Sequence, residues 1–116
     1  MAKAVIPQQS WANGETDGIS GLGPVMRGRV DQIEVKISDP TNTITFTLTL
    51  TSPDGAELFT KASIARNATT VLKATSDATD YDAFYVDGKL AWTITPSGDP
   101  GTSGVTVDVA LYGESG

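Results

Sequence analysis

The chain has 116 residues, 39% hydrophobic and 19% charged, with a net charge of −6 and neither cysteine nor histidine. That length suits one domain around one core, and the composition is that of a folded chain. Without Cys or His there are no disulfides, no zinc held by those residues, no thiol nucleophile and no triad with a His base.

The acidic balance opposes nonspecific binding to nucleic acid or to an anionic membrane. No apolar run approaches the ~20 residues of a membrane helix. The opening Met1-Ala2-Lys3-Ala4-Val5-Ile6-Pro7 lacks the apolar core of a secretory leader.

Residues 1–29 differ in texture from the rest. Pro7, Gly14, Gly18, Gly21, Gly23, Pro24 and Gly28 interrupt them, and glycine and proline disfavour a helix or a long strand. Three bases face two acids here, whereas five bases face twelve acids from Val30 onward. The division reads as an extended N-terminal arm, 1–29, followed by a β domain, 30–116. Fully extended, such an arm reaches roughly 95 Å, far enough to cross neighbouring subunits. The alternative is an arm folded back over one open end of its own core. Ile6, Trp11, Ile19, Leu22, Val25 and Met26 are its apolar contacts in either case, and they are the candidate partner-binding residues.

From Val30 the pattern is that of strands. Ile33, Val35 and Ile37 alternate with Glu34 and Lys36, and Asp39-Pro40-Thr41-Asn42 forms a connection. In Thr43–Thr51 the apolar Ile44, Phe46, Leu48 and Leu50 face one way and five threonines the other, the period of a half-buried strand. Ser52-Pro53-Asp54-Gly55 is a turn, with proline presetting φ at its second position. Short strands follow around Leu58-Phe59 and Val71-Leu72. Asp87-Gly88 then predicts a hairpin between Ala83–Val86 and Lys89–Thr95. Val105–Tyr112 alternates again and closes the chain. About seven strands with frequent turn signals and no helical period predict an all-β antiparallel sandwich, Ig-like or jelly-roll-like. The expected core is Ile33, Val35, Ile37, Ile44, Phe46, Leu48, Leu50, Leu90, Trp92, Ile94, Val105, Val107, Val109 and Leu111.

Motifs that resemble chemistry resolve into simpler readings. The acidic stretch Asp77–Asp82 lacks the spacing and closing glutamate of an EF-hand, so a solvated loop is expected. Gly18-Ile19-Ser20-Gly21-Leu22-Gly23 lacks the strand before and the helix after that a phosphate loop needs. Asn67-Ala68-Thr69 matches a glycan acceptor by pattern alone. The threonines of 43–51 read as the wet side of a sheet. Glu34 and Asp108 sit at outward strand positions, which gives no pair of carboxylates for acid–base work. No catalytic residue, metal ligand or cofactor is expected.

The stretch Tyr85-Val86-Asp87-Gly88-Lys89-Leu90-Ala91-Trp92-Thr93-Ile94-Thr95-Pro96 runs into a Gly-rich loop, Ser97–Gly104, and the strand Val105–Tyr112. This resembles small all-β accessory proteins in the virions of tailed bacteriophages, of the capsid decoration or cement type. The resemblance covers residues 30–113. It implies a non-enzymatic structural role at the capsid surface, reached by assembly in the host cytoplasm. The implied partners are the major capsid protein and neighbouring copies of the chain within a large symmetric assembly. Head–tail connectors, tail or fibre components and Ig-like adhesion modules are the other roles this pattern admits. If the arm is the anchor, a chain lacking residues 1–29 is expected to fold and fail to attach.

Overall fold

The computed structural model describes residues 2–52, 54–73 and 84–115. Seven strands are present and no helix occurs among the described residues: β1 (Ala2–Trp11), β2 (Ile19–Ile37), β3 (Thr45–Thr51), β4 (Glu57–Ala65), β5 (Ala68–Lys73), β6 (Phe84–Pro96) and β7 (Val105–Ser115). All pairings are antiparallel, in the order β1-β7-β2-β6-β3-β4, with β5 also on β2.

One strand organises these pairings into two layers. Residues 19–27 of β2 pair with β6 alone, and residues 32–37 pair with β7 and β5. At Gly28, Arg29 and Val30 the strand is bonded on both edges, to Val86, Tyr85 and Phe84 of β6 and to Ser115, Glu114 and Gly113 of β7. The register then slips between Val30 and Gln32, leaving Asp31 as the extra residue of a bulge, ion-paired to Arg29 at 2.6 Å. Bulges bend a strand and increase its twist, and here the bend carries β2 from one layer to the other. With the halves of β2 counted separately, the molecule is an eight-stranded sandwich. One sheet is β1-β7-β2-β5 and the other β2-β6-β3-β4.

The core between the layers is aliphatic and aromatic, with no buried charged residue among those described. Every residue of the expected core is buried, and Ile6, Trp11, Val30, Phe59, Ile64 and Leu72 join it. On β3 the burial alternates without a break, as the threonine pattern required.

Two sequence expectations are corrected. Asp87-Gly88 makes no hairpin: β6 runs straight through it, with Gly88 at φ 125° opposite Met26 of β2. The reason is tertiary, since the whole of β6 lies along the long β2 ladder and gains more bonds by continuing than by turning. Residues 1–29 also contain regular structure. Residues 2–11 form β1 along β7, and the boundary at residue 29 falls inside β2. Residues 30–116 alone would lack β1 along β7 and residues 19–27 of β2 along β6. The acidic stretch Asp77–Asp82 lies outside the described residues.

Gly113 sits where β7 meets the bend of β2, and a Cβ there would collide with the Arg29 carbonyl oxygen. The neighbouring contact is backbone and cannot swing aside. Gly113→Ala is therefore expected to destabilise by about 1–3 kcal/mol. Urea unfolding should show a lower midpoint at unchanged slope; an unchanged midpoint would mean that the bend is not tightly packed.

Candidate functional site

The six candidate partner-binding residues separate into two groups. Ile6 and Trp11 are buried on β1. The Trp11 ring packs tilted on Phe46 across the sandwich, centroids 5.2 Å apart, and its indole N–H donates to the Asp17 carbonyl at 2.8 Å. An aromatic ring with its polar edge satisfied inside the chain has no need of a partner's pocket. Ile19 is half-buried against the same core. Leu22 and Val25, by contrast, are 73% and 59% exposed. The backbone of Met26 pairs with Gly88, and its side chain lies outside the described residues.

A bulge explains why the two exposed residues belong together. Three residues apart on a regular strand, Leu22 and Val25 would point to opposite faces. The register shifts between them, so that Leu22 stands opposite Ala91 and Val25 opposite Lys89, two positions apart on β6. One extra residue on β2 thus brings both side chains to the same outer face. Gly23 takes φ +99° within the bulge, a conformation that favours glycine. The neighbouring Gly21 serves the inner face: a Cβ there would strike the Trp92 ring, which lies against it. The Trp92 indole N–H is buried without a hydrogen-bond partner.

The outer face beside this pair is rich in hydroxyls, with Lys89 opposite Val25 at one margin and Glu57 at another. Across it, Ser20, Thr93, Thr49 and Thr60 stand in register on four strands. Their hydroxyls bond pairwise, Ser20 to Thr93 at 2.9 Å and Thr49 to Thr60 at 3.1 Å. The next row is Leu22, Ala91, Thr51 and Glu57. The opposite outer face carries charge of both signs. A shallow depression of about 290 Å³ there is lined by Lys3, Glu34, Lys36, Asp108 and Tyr112 among others. Lys3 lies over the Tyr112 ring at 5.5 Å, and Gln8 donates to both Asp108 oxygens. Among the described residues no group of three or more acids is placed to hold a metal ion.

One end of the sandwich is tied by a carboxylate. Asp99 Oδ1 accepts the backbone N–H groups of Gly14 and Gly101, each at 2.8 Å, and the Asp99 carbonyl accepts the Asn42 amide at 3.0 Å. Three loops meet there: β1–β2, β2–β3 and β6–β7. The Gly101 and Gly14 bonds hold the Asp99 carboxyl below the ordinary value of 3.8. A carboxyl depressed in the folded state adds stability that is fully present above its unfolded value and is lost as pH falls through the folded one. Protection of the Gly14 and Gly101 amides, measured relative to their intrinsic exchange at each pH, should therefore fall as the pH drops below about 3.8, the ordinary value. In Asp99→Ala both amides should show low protection at every pH. Equal protection in both proteins would show that the clasp does not hold these loops.

No family model matches the chain, and no curated protein matches it. Among solved structures it is similar to a chain of the T13 IBDV viral particle, at 12% identity and a TM-score of 0.44, covering 97% of this chain and 31% of that one. It is also similar to chains of infectious bursal disease virus, Gx strain (11% identity, TM-score 0.39, 97% and 32% covered) and Gt strain (8%, 0.35, 95% and 37%). This chain spans about a third of the length of each.

Proposed function

We propose that this protein is a non-enzymatic structural component of a virion, decorating a bacteriophage capsid by docking the outer face of its β2-β6-β3-β4 sheet on the shell. The observation that carries this is the bulge that brings Leu22 and Val25 together on the outer face, at one corner of a hydroxyl-rich surface whose charges, Lys89 and Glu57, lie at its margins. The centres of protein interfaces are depleted of charge and seat a few apolar anchors in pockets. Such a face suits a broad protein partner better than a small ligand, which favours an enclosed cavity. The resemblance of residues 30–113 to virion accessory proteins supplies the partner, the major capsid protein.

The anchoring role moves from the whole N-terminal segment to Leu22 and Val25, the two exposed residues among the candidates whose side chains are described. Ile6 and Trp11 hold β1 in the sandwich, and Leu22 and Val25 meet the lattice.

Two measurements test this. In a density gradient of particles from the source, the chain should sediment with the shell at high copy relative to the major shell protein. A few copies per particle would favour a connector or tail position, and a chain found only among free proteins would overturn the virion reading. The double variant Leu22→Ser/Val25→Ser should melt within a few degrees of the parent while losing about tenfold or more in particle binding. Undiminished binding would remove this face as the docking surface.

A further inference from the structure

Four strand edges bound the two sheets. β1 and β5 close the first, and residues 19–27 of β2 and β4 close the second. An open edge is a template for another chain, and natural sheets blunt it with proline, bulges or charge.

Three of the four edges are blunted. β1 carries Pro7 and a register shift between Ile6 and Gln9. The β2 edge carries Pro24 and the bulge between Leu22 and Val25. β4 shifts register twice against β3 and holds Ser63 at φ 59°. β5 has none of these features. It makes six uninterrupted pairs with β2, from Gln32–Lys73 to Ile37–Ala68, and contains no proline. Its only charge is Lys73, at its end. Among the described residues no strand pairs with its other edge, and Val71 is 43% exposed along it.

We propose that β5 pairs antiparallel with β5 of a second copy of this chain, about a two-fold axis through Val71. The side-chain period sets where the axis can lie. Val71 is exposed and Leu72 buried, so opposed residues share a face only if the axis passes through a residue. An axis at Thr70 would set Lys73 against Asn67 of the second copy, whose φ of 51° has left the strand conformation. An axis at Val71 pairs the two valines and sets Leu72 opposite Thr70, and Lys73 opposite Thr69, of the second copy.

Charge is compatible with this occupant. Residues 68–72 are uncharged in a chain of net −6, so these strand residues set no acid against acid. The nearest acid in the Val71 row is Glu34 on β2. The two Glu34 residues would lie three strand spacings apart, roughly 14 Å, beyond the ~8 Å screening length at physiological salt. Apposed β-branched side chains add a favourable cross-strand pair. The contact is small, and its dissociation constant is expected above roughly 1 µM. It deepens the assembly reading by naming one contact between copies, yet it rests on the strand edges and is measured without particles.

The test uses a cysteine in a chain that has none. Directly opposed residues have Cα atoms about 4.5–5.5 Å apart, within reach of a disulfide. Under mild oxidation, Val71→Cys should form a covalent dimer, while Thr60→Cys, exposed on the blunted β4 edge, should remain monomeric. The parent chain should show a concentration-dependent monomer–dimer equilibrium by sedimentation. Val71→Lys sets like charges face to face and should weaken it about tenfold or more at an unchanged melting temperature. A parent chain monomeric up to ~0.5 mM, or Val71→Cys cross-linking no faster than Thr60→Cys, would overturn the proposal. A dimer formed by a chain absent from particles would leave this contact standing and remove only the virion reading.

Discussion

The fold depends on the passage of β2 between layers. A sandwich needs two sheets facing one core, and this chain obtains both from a single strand bonded on its two edges at Gly28–Val30. The bulge at Asp31 bends the strand, and the glycine at position 113 lets β7 approach the Arg29 backbone closely enough to remain paired. Val30, fully buried at the crossing, ties the bend to the core. Because β1 lies on β7 and β6 lies on β2, the first 29 residues are structural members of both layers.

The two outer faces have different chemistry. The face of β1-β7-β2-β5 mixes Lys3, Lys36, Glu34 and Asp108, with Lys3 over the Tyr112 ring and Asp108 bonded by Gln8. The face of β2-β6-β3-β4 presents hydroxyls that bond to each other, with Leu22 and Val25 at one corner. Water competes well for the first face. The second sets Leu22 and Val25, its most exposed apolar side chains, where another protein can cover them. At one end Asp99 gathers three loops, its carboxylate accepting the Gly14 and Gly101 N–H groups and its backbone carbonyl the Asn42 amide, which fixes the loop ends without adding to the core.

The strands from Val30 onward were largely legible. In β3, β7 and residues 89–95 of β6, alternation of β-branched and apolar residues declares both the strand and its buried face, and those residues form the core. β1 was not legible. Its run Pro7-Gln8-Gln9-Ser10 is polar and proline-bearing, and it holds as a strand because β7 supplies a ladder and the core accepts Ile6 and Trp11. The first half of β2 was hidden by Gly21, Gly23 and Pro24, which read as loop residues locally. In the fold Gly21 makes room for Trp92, and Gly23 takes the positive φ within the bulge.

The candidate site shows the same division. The sequence alone established an all-β chain without thiol or imidazole chemistry, a set of apolar core positions, and six apolar residues near the N-terminus as candidate contacts. Only the tertiary structure decided where each of them goes. Ile6 and Trp11 pack inward because their strand is the neighbour of β7. Leu22 and Val25 face outward together because one bulged residue changed the parity of β2 against β6. Side-chain parity is a property of a register between strands distant in sequence, and no local pattern encodes it.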